Sequence, residues 1–168
     1  MKRAALFFCA LFLNPVAASA ASTIALVPID DRPVTLQLPQ MVGAIAGAYV
    51  AVPPRAALGR FLTPGDPTMI AQWLQSPATQ NADAFVLSTD MLAYGGLVAS
   101  RTPATPQNMA IDRLRIVSSV RKQHPQAWIG AFGTIMRLAP TGVPAIGAAK
   151  NFFAAYPVWE YLQQYANL

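Results

Sequence analysis

Four short apolar runs recur along this chain with segments of helical period between them, and that alternation constrains the fold more than any other feature. Thr23 to Ile29, Ala48 to Val52, Ala84 to Ser88 and Ala127 to about Gly133 have the length and composition of strands. The first is apolar on both faces, as in a strand buried inside a parallel sheet. After it, Leu38, Met41, Val42 and Ile45 fall at i, i+3, i+4 and i+7, the spacing of one buried helix face, with Pro39 in the first turn and Gly47 placed to close the helix. Asp66-Pro67 has the form of an N-cap and first helical position, with Met69, Ile70, Trp73 and Leu74 as the buried face behind it. Thr105-Pro106 repeats that signal ahead of Ala110, Leu114 and Val117, on a helix that must stop at His124-Pro125. Strands alternating with helices predict an α/β fold of right-handed βα units with a mostly parallel sheet, part of a barrel or of a doubly wound domain.

The first twenty residues stand apart from this pattern. Lys2 and Arg3 precede an apolar run from Ala4 to Leu13, Asn14-Pro15 breaks it, and Val16 to Ala20 supplies small residues of the Ala-x-Ala kind. That is the three-part layout of a secretory signal peptide cut after Ala20, and the run is too short to span a bilayer. The expectation is an exported protein, periplasmic or secreted, with residues 21–168 forming part of a single α/β domain.

Export with cleavage would remove Cys9, the one cysteine, leaving neither an internal disulfide nor a thiol for catalysis. It would also take the twelve basic residues to ten against seven acids, a net of about +3 on about 148 residues. These charges are dispersed, without the Lys/Arg stripe that nucleic-acid binding needs, and no membrane association is expected after cleavage. His124 is the sole histidine, which excludes a two-histidine metal motif. With 54% hydrophobic and only 11% charged residues, part of the surface is expected to meet a partner, either another subunit or more polypeptide.

Ligands of parallel α/β sheets gather at the carboxyl ends of the strands. That rule selects Asp30-Asp31-Arg32 after the first strand, Asp90 through Tyr94 to Gly95-Gly96 after the third, and Thr134 to Arg137 after the fourth. Asp30, Asp31 and Asp90 are the candidate catalytic carboxylates; Arg32, Tyr94, Gly95, Gly96, Arg101 and Arg137 are the candidate substrate-binding residues. Structural readings stand beside these. Asp31 can cap the following helix, and Asp30 can form a buried ion pair with Arg32 or Arg137. Asp83 reads as a solvated strand start, Asp112 as a polar helix position, His124 as an exposed helix end, and Arg55 and Arg60 as solvated loop residues. Tyr156, Trp159, Tyr161 and Tyr165 read as an aromatic core or interface rather than a sugar platform.

Three long motifs carry a family resemblance: Ala-Leu-Val-Pro-Ile-Asp-Asp-Arg-Pro-Val (25–34), Pro-Pro-Arg-Ala-Ala-Leu-Gly-Arg-Phe-Leu-Thr-Pro-Gly-Asp (53–66) and Leu-Ser-Thr-Asp-Met-Leu-Ala-Tyr-Gly-Gly-Leu-Val-Ala-Ser-Arg (87–101). With Ile-Met-Arg (135–137), they resemble the amino-terminal part of a bacterial family catalogued as domain of unknown function 4127, over about residues 24–168. The resemblance implies no established reaction. It marks Asp30, Asp31, Arg32, Asp90, Tyr94, Gly95, Gly96, Ser100, Arg101 and Arg137 as motif positions. Family members are longer and carry a later Gln-Asp-Asp-type segment, so the resemblance also implies that this chain is the amino-terminal portion of a larger protein whose carboxyl-terminal part is missing.

Two functional classes follow. One is a hydrolase acting on glycans or cell-wall sugars, with paired strand-end carboxylates as acid, base or nucleophile, in the manner of glycosidases. The other is a non-catalytic exported protein that binds a small molecule or sugar through the arginines and Tyr94, and the truncated chain itself can be inactive. No cofactor is required by the sequence; Mg²⁺ or Ca²⁺ held by Asp30, Asp31 and Asp90 is the metal variant of the same site.

Overall fold

The computed structural model describes residues 21–60, 63–102 and 104–135. The proposed signal peptide, Arg137 and the aromatic residues from Tyr156 to Tyr165 lie outside the described residues. Strands β1 (Thr23–Val27), β2 (Tyr49–Ala51), β3 (Ala84–Ser88) and β4 (Trp128–Phe132) form one all-parallel sheet in the order β2-β1-β3-β4. Helices α1 (Gln37–Ile45), α2 (Pro67–Leu74), α3 (Thr89–Tyr94), α4 (Gln107–Leu114) and α5 (Ile116–Gln123) fill the connections, with short 3₁₀ turns at Arg55–Ala57, Pro77–Thr79 and Ala99–Arg101.

The strand order decides between the two architectures left open by the sequence. A βα barrel adds strands in sequence order, whereas here the chain moves from β1 outward to β2 and then crosses back over β1 to β3. Right-handed crossovers in opposite directions put their helices on opposite faces, which is the doubly wound arrangement. Alternate residues Ala25, Val27, Ala51, Phe85 and Leu87 point to one face and form the core with Ile70, Trp73 and Leu74 of α2, Met91 and Leu92 of α3, and Ile116 and Val120 around α5. The opposite face carries Ile24, Leu26, Val50 and Val86, and α1 is the helix laid against it.

Several local signals behave as the sequence predicts. Asp66 caps α2, its Oδ1 accepting from the amides of Thr68 at 2.8 Å and Met69 at 3.2 Å, with Pro67 at the first helical position. α1 holds Pro39 in its first turn and stops ahead of Gly47, whose φ of 73° lets the Ala48 amide return to the Gly43 carbonyl at 2.8 Å. α5 ends at Gln123, one residue before His124-Pro125.

Four expectations are corrected. The apolar stripe of α1 is not buried: Leu38, Met41, Val42 and Ile45 are all exposed, Ile45 at 87%. α1 instead seats Gly43 on β2, where a Cβ would overlap the Val50 side chain, so the helix approaches the sheet through its glycine and turns its large residues outward. Met69 is likewise on the exposed side of α2. Thr105 caps nothing; Pro106 occupies the cap position of α4 without a side-chain bond, and the expected long helix divides at Arg115 into α4 and α5. His124 is half-buried, its ring tilted against that of Phe85 with centroids 4.8 Å apart, so it closes the core where an exposed helix end was expected.

Candidate functional site

In doubly wound sheets the crevice opens where the strand order reverses, because the two flanking connections leave toward opposite faces. Here that point lies between β1 and β3. Their carboxyl ends lead into Asp30-Asp31-Arg32 and into the Asp90–Gly96 segment, so the sheet topology brings two of the three sequence-predicted clusters side by side.

Asp30 is buried just beyond β1, and its carboxylate is clasped within its own turn. Arg32 donates to Oδ2 through Nε at 2.7 Å and approaches the same oxygen with Nη2 at 2.6 Å, while its backbone amide donates to Oδ1 at 3.2 Å. The Thr35 hydroxyl donates to Oδ1 as well. The backbone of this turn then winds directly into α1, with the Leu36 amide on the Arg32 carbonyl at 2.9 Å. Burial alone would push the Asp30 carboxyl up, but the bonds from Arg32 and Thr35 and the guanidinium charge together hold it below the usual carboxylate range. Asp30 is therefore ionised at neutral pH.

Asp31 points elsewhere. Its amide donates to the Gly59 carbonyl at 3.1 Å and its carboxylate faces Arg55 Nε at 3.7 Å, a loose pair with a largely exposed arginine. It caps no helix, since α1 begins without a side-chain cap. Asp90 sits in the first turn of α3, behind the Ser88 hydroxyl that caps the helix by accepting from the Met91 amide at 3.2 Å. Both Asp90 oxygens accept from Thr134, Oδ2 from its amide at 2.9 Å and Oδ1 from its hydroxyl at 3.1 Å. The neighbouring Thr89 hydroxyl donates to the Phe132 carbonyl at 3.0 Å, so two successive residues tie the end of β3 to the end of β4.

The loop after α3 forms the floor of the crevice. Gly95 takes φ 87° and Gly96 φ 128°, values that L side chains rarely adopt. A Cβ on Gly95 would stand 2.6 Å from the Gly65 carbonyl oxygen; the Gly65 amide donates to the Gly95 carbonyl at 2.7 Å, and the Leu97 amide to the Ile29 carbonyl at 3.3 Å. Three main-chain segments thus meet with no side chain between them. Above them lies a cleft of about 110 Å³, lined by Asp30, Arg32, Gly59, Gly95, Gly96 and Arg101 together with Thr63, Pro64 and Leu97 to Ala99.

Of the candidate carboxylates, Asp30 alone lines this cleft; Asp31 and Asp90 turn to other partners. Of the candidate binding residues, Arg32, Gly95, Gly96 and Arg101 line it, and Tyr94 is half-buried outside it. Ser100 uses its hydroxyl locally, on the Leu97 carbonyl at 2.8 Å. Arg137 lies outside the described residues. Among the described residues no three of His, Cys, Asp or Glu gather as metal ligands, so Asp30, Asp31 and Asp90 do not form the expected oxygen shell for Mg²⁺ or Ca²⁺.

Sequence reasoning missed Thr35, Gly59 and Thr63, and it placed Thr134 in the fourth strand-end cluster without pairing it with Asp90. Gly59 and Thr63 lie in the 53–66 motif, which was the available signal; Thr35 is a threonine with no distinguishing local pattern. Among the described residues no helix is long and apolar enough to cross a membrane.

No curated protein and no solved structure matches this chain. A family model does, over residues 24–167, which takes in the strand-end clusters, the glycine floor and the whole described sheet apart from Thr23. The chain belongs to the family described as protein of unknown function (DUF4127).

Proposed function

We propose that the strand-end cleft binds a small anionic ligand, such as a phosphate or a sugar acid, and that the leader at residues 1–20 exports the protein to do so outside the cytoplasm. The observation that carries this reading is the lining of the cleft. Arg32, paired with Asp30, and Arg101 bring two guanidinium groups to a cleft whose floor is otherwise main chain. Arginine is the usual side chain for holding carboxylate or phosphate, through charge-assisted and often bidentate hydrogen bonds. At about 110 Å³ the cleft is well below the roughly 300 Å³ at which pockets begin to enclose a whole drug-sized ligand, so it suits the charged end of a molecule or a single small anion.

Calorimetry and thermal shift with inorganic phosphate, glucuronate and neutral glucose test this. Phosphate or glucuronate should raise the melting temperature where glucose does not, and Arg101→Ala should weaken anion binding about tenfold or more, the usual worth of a charge-assisted hydrogen bond. Equal response to glucose, or unchanged anion affinity in Arg101→Ala, would refute it.

A second reading, a hydrolase acting on glycans or cell-wall sugars, is favoured by one observation: Asp90 is a further buried carboxylate at the adjacent strand end. Its acid would have to be Asp90, because the clasp that keeps Asp30 ionised makes Asp30 a poor proton donor. Turnover of glycan fragments that is lost in Asp90→Asn would support it over simple binding.

A further inference from the structure

The edge of the sheet away from the cleft carries a second concavity. α2 and α5 both return to the amino ends of the strands, where the loops after them lead into β3 and β4. Those loops lie side by side, the Trp128 amide donating to the Asp83 carbonyl at 3.0 Å. Beside them opens a cavity of about 530 Å³, whose lining includes Gln75, Gln80, Asn81, Gln123 and His124. It shares no residue with the strand-end cleft. Hydroxyl groups hold its walls. The Thr79 hydroxyl donates to the Leu74 carbonyl at 2.9 Å, and the Ser76 hydroxyl donates to the Trp73 carbonyl at 2.7 Å while accepting from the Ala78 amide at 3.3 Å. The half-buried His124 ring is fixed against Phe85. Among the described residues the four carboxamide side chains make no hydrogen bond, so the shape of the cavity does not occupy them.

We infer that this cavity binds an N-acetylated sugar, its acetamide and hydroxyls hydrogen-bonded by the four carboxamides. A carboxamide carries an acceptor oxygen and two N–H donors, so it complements groups that themselves both donate and accept. Hydroxyls and amides are such groups, and an N-acetylated pyranose presents both. The described lining holds no Asp, Glu, Lys or Arg. Nothing there balances an ionised ligand, and a charge moved out of water without a partner is costly, so the chemistry of this cavity is the reverse of the arginine-lined cleft. The acetyl methyl needs an apolar wall within reach of the amides, which Pro77 supplies. The His124 ring offers a flat neighbour for the sugar ring, and the volume lies within the range of about 300 to 1,000 Å³ usual for small-molecule sites.

The test is an NMR titration of the full 168-residue chain with N-acetylglucosamine, glucose and N-acetylalanine amide, followed at the backbone amides. N-acetylglucosamine should give saturable shifts between residues 75 and 81 and at 123–124, leave 30–32 and 95–96 unmoved, and bind about tenfold or more tightly than glucose, which lacks the acetamide. Gln80→Ala combined with Gln123→Ala should weaken that binding about tenfold, the usual worth of two neutral hydrogen bonds. Both side chains are exposed, so the fold does not depend on them. Glucose binding as tightly, an affinity unchanged in the double variant, or no saturable shift between 75 and 81 would each overturn the inference. Shifts confined to 30–32 and 95–96 would overturn it as well, and would assign the sugar to the strand-end cleft. Equal affinity for N-acetylalanine amide would overturn it in favour of an acetylated peptide. Because the two sites share no residue, this test and the anion test of the cleft can fail separately.

Discussion

Asp30 and Asp90 are buried to the same extent, 7% exposed each, at the carboxyl ends of adjacent strands, yet they are held by opposite means. Asp30 finds all its partners within five residues, and the chief one is a guanidinium that is itself half exposed. Asp90 finds neutral partners forty-four residues away, the amide and hydroxyl of Thr134. One carboxylate organises a turn and contributes charge to a cleft; the other fastens two strand ends across the sheet. Equal burial therefore says little about role, and the sequence distance to the partner says more.

The comparison breaks most sharply at Asp90. Asp90→Ala leaves the Thr134 amide and hydroxyl without their acceptor and frees the chain after β4, so about 3 kcal/mol of stability should be lost, measured by denaturant unfolding. Hydrogen exchange at Thr134 should rise in the same variant, while the 30–36 turn stays protected. A loss confined to the 30–36 turn would show that the two sites are not independent.

Arg32→Ala is the counterpart for Asp30 and should cost about 2 kcal/mol at neutral pH, less than breaking a fully buried pair because Arg32 is 49% exposed in its side chain. With the cation gone, burial is the leading influence left and the Asp30 carboxyl should move up. The pH dependence follows from the direction of the native shift. A lowered carboxyl contributes stability that is fully present above its unfolded value of about 3.9 and disappears as pH falls through the folded value. The gap between the native chain and Arg32→Ala should therefore close below about pH 4, which unfolding at stepped pH would read out. A gap that stays constant well below that pH would remove Asp30 as the partner that matters.

The smallest expected effect sharpens the same contrast. Thr35→Val keeps the shape of the side chain and removes only the hydroxyl on Asp30, for about 1 kcal/mol and a modest rise of the Asp30 carboxyl, followed by NMR titration.

What the sequence makes legible, and what it does not, divides along the same line of locality. β3 is bounded at Ala84 and Ser88 as read, and the Asp66-Pro67 cap is in place, because each depends on neighbours a few residues apart. The strand-end clusters are legible because parallel topology places them whatever the details of packing. The stripe on α1 misleads for a physical reason: period 3.6 reports that an apolar face exists, not which element covers it, and Gly43 draws the helix onto β2 by a different face. Thr134 as the partner of Asp90 is illegible for the same reason. Nothing within ten residues of either signals it, and only the register of β3 with β4, Ser88 beside Phe132, brings them together.

The floor of the cleft, where Gly65 and Gly95 touch backbone to backbone, has a consequence for how such a site can change. A surface built from peptide groups offers no side chain to exchange, so its shape is fixed by three crossing strands of main chain and withstands substitution nearly everywhere except at the glycines themselves. In the binding reading proposed above, selectivity would be written on the rim, at Thr63, Val98 and Arg101, and not on the base. Retuning the proposed ligand would then draw on a small alphabet of positions over a stage that holds still.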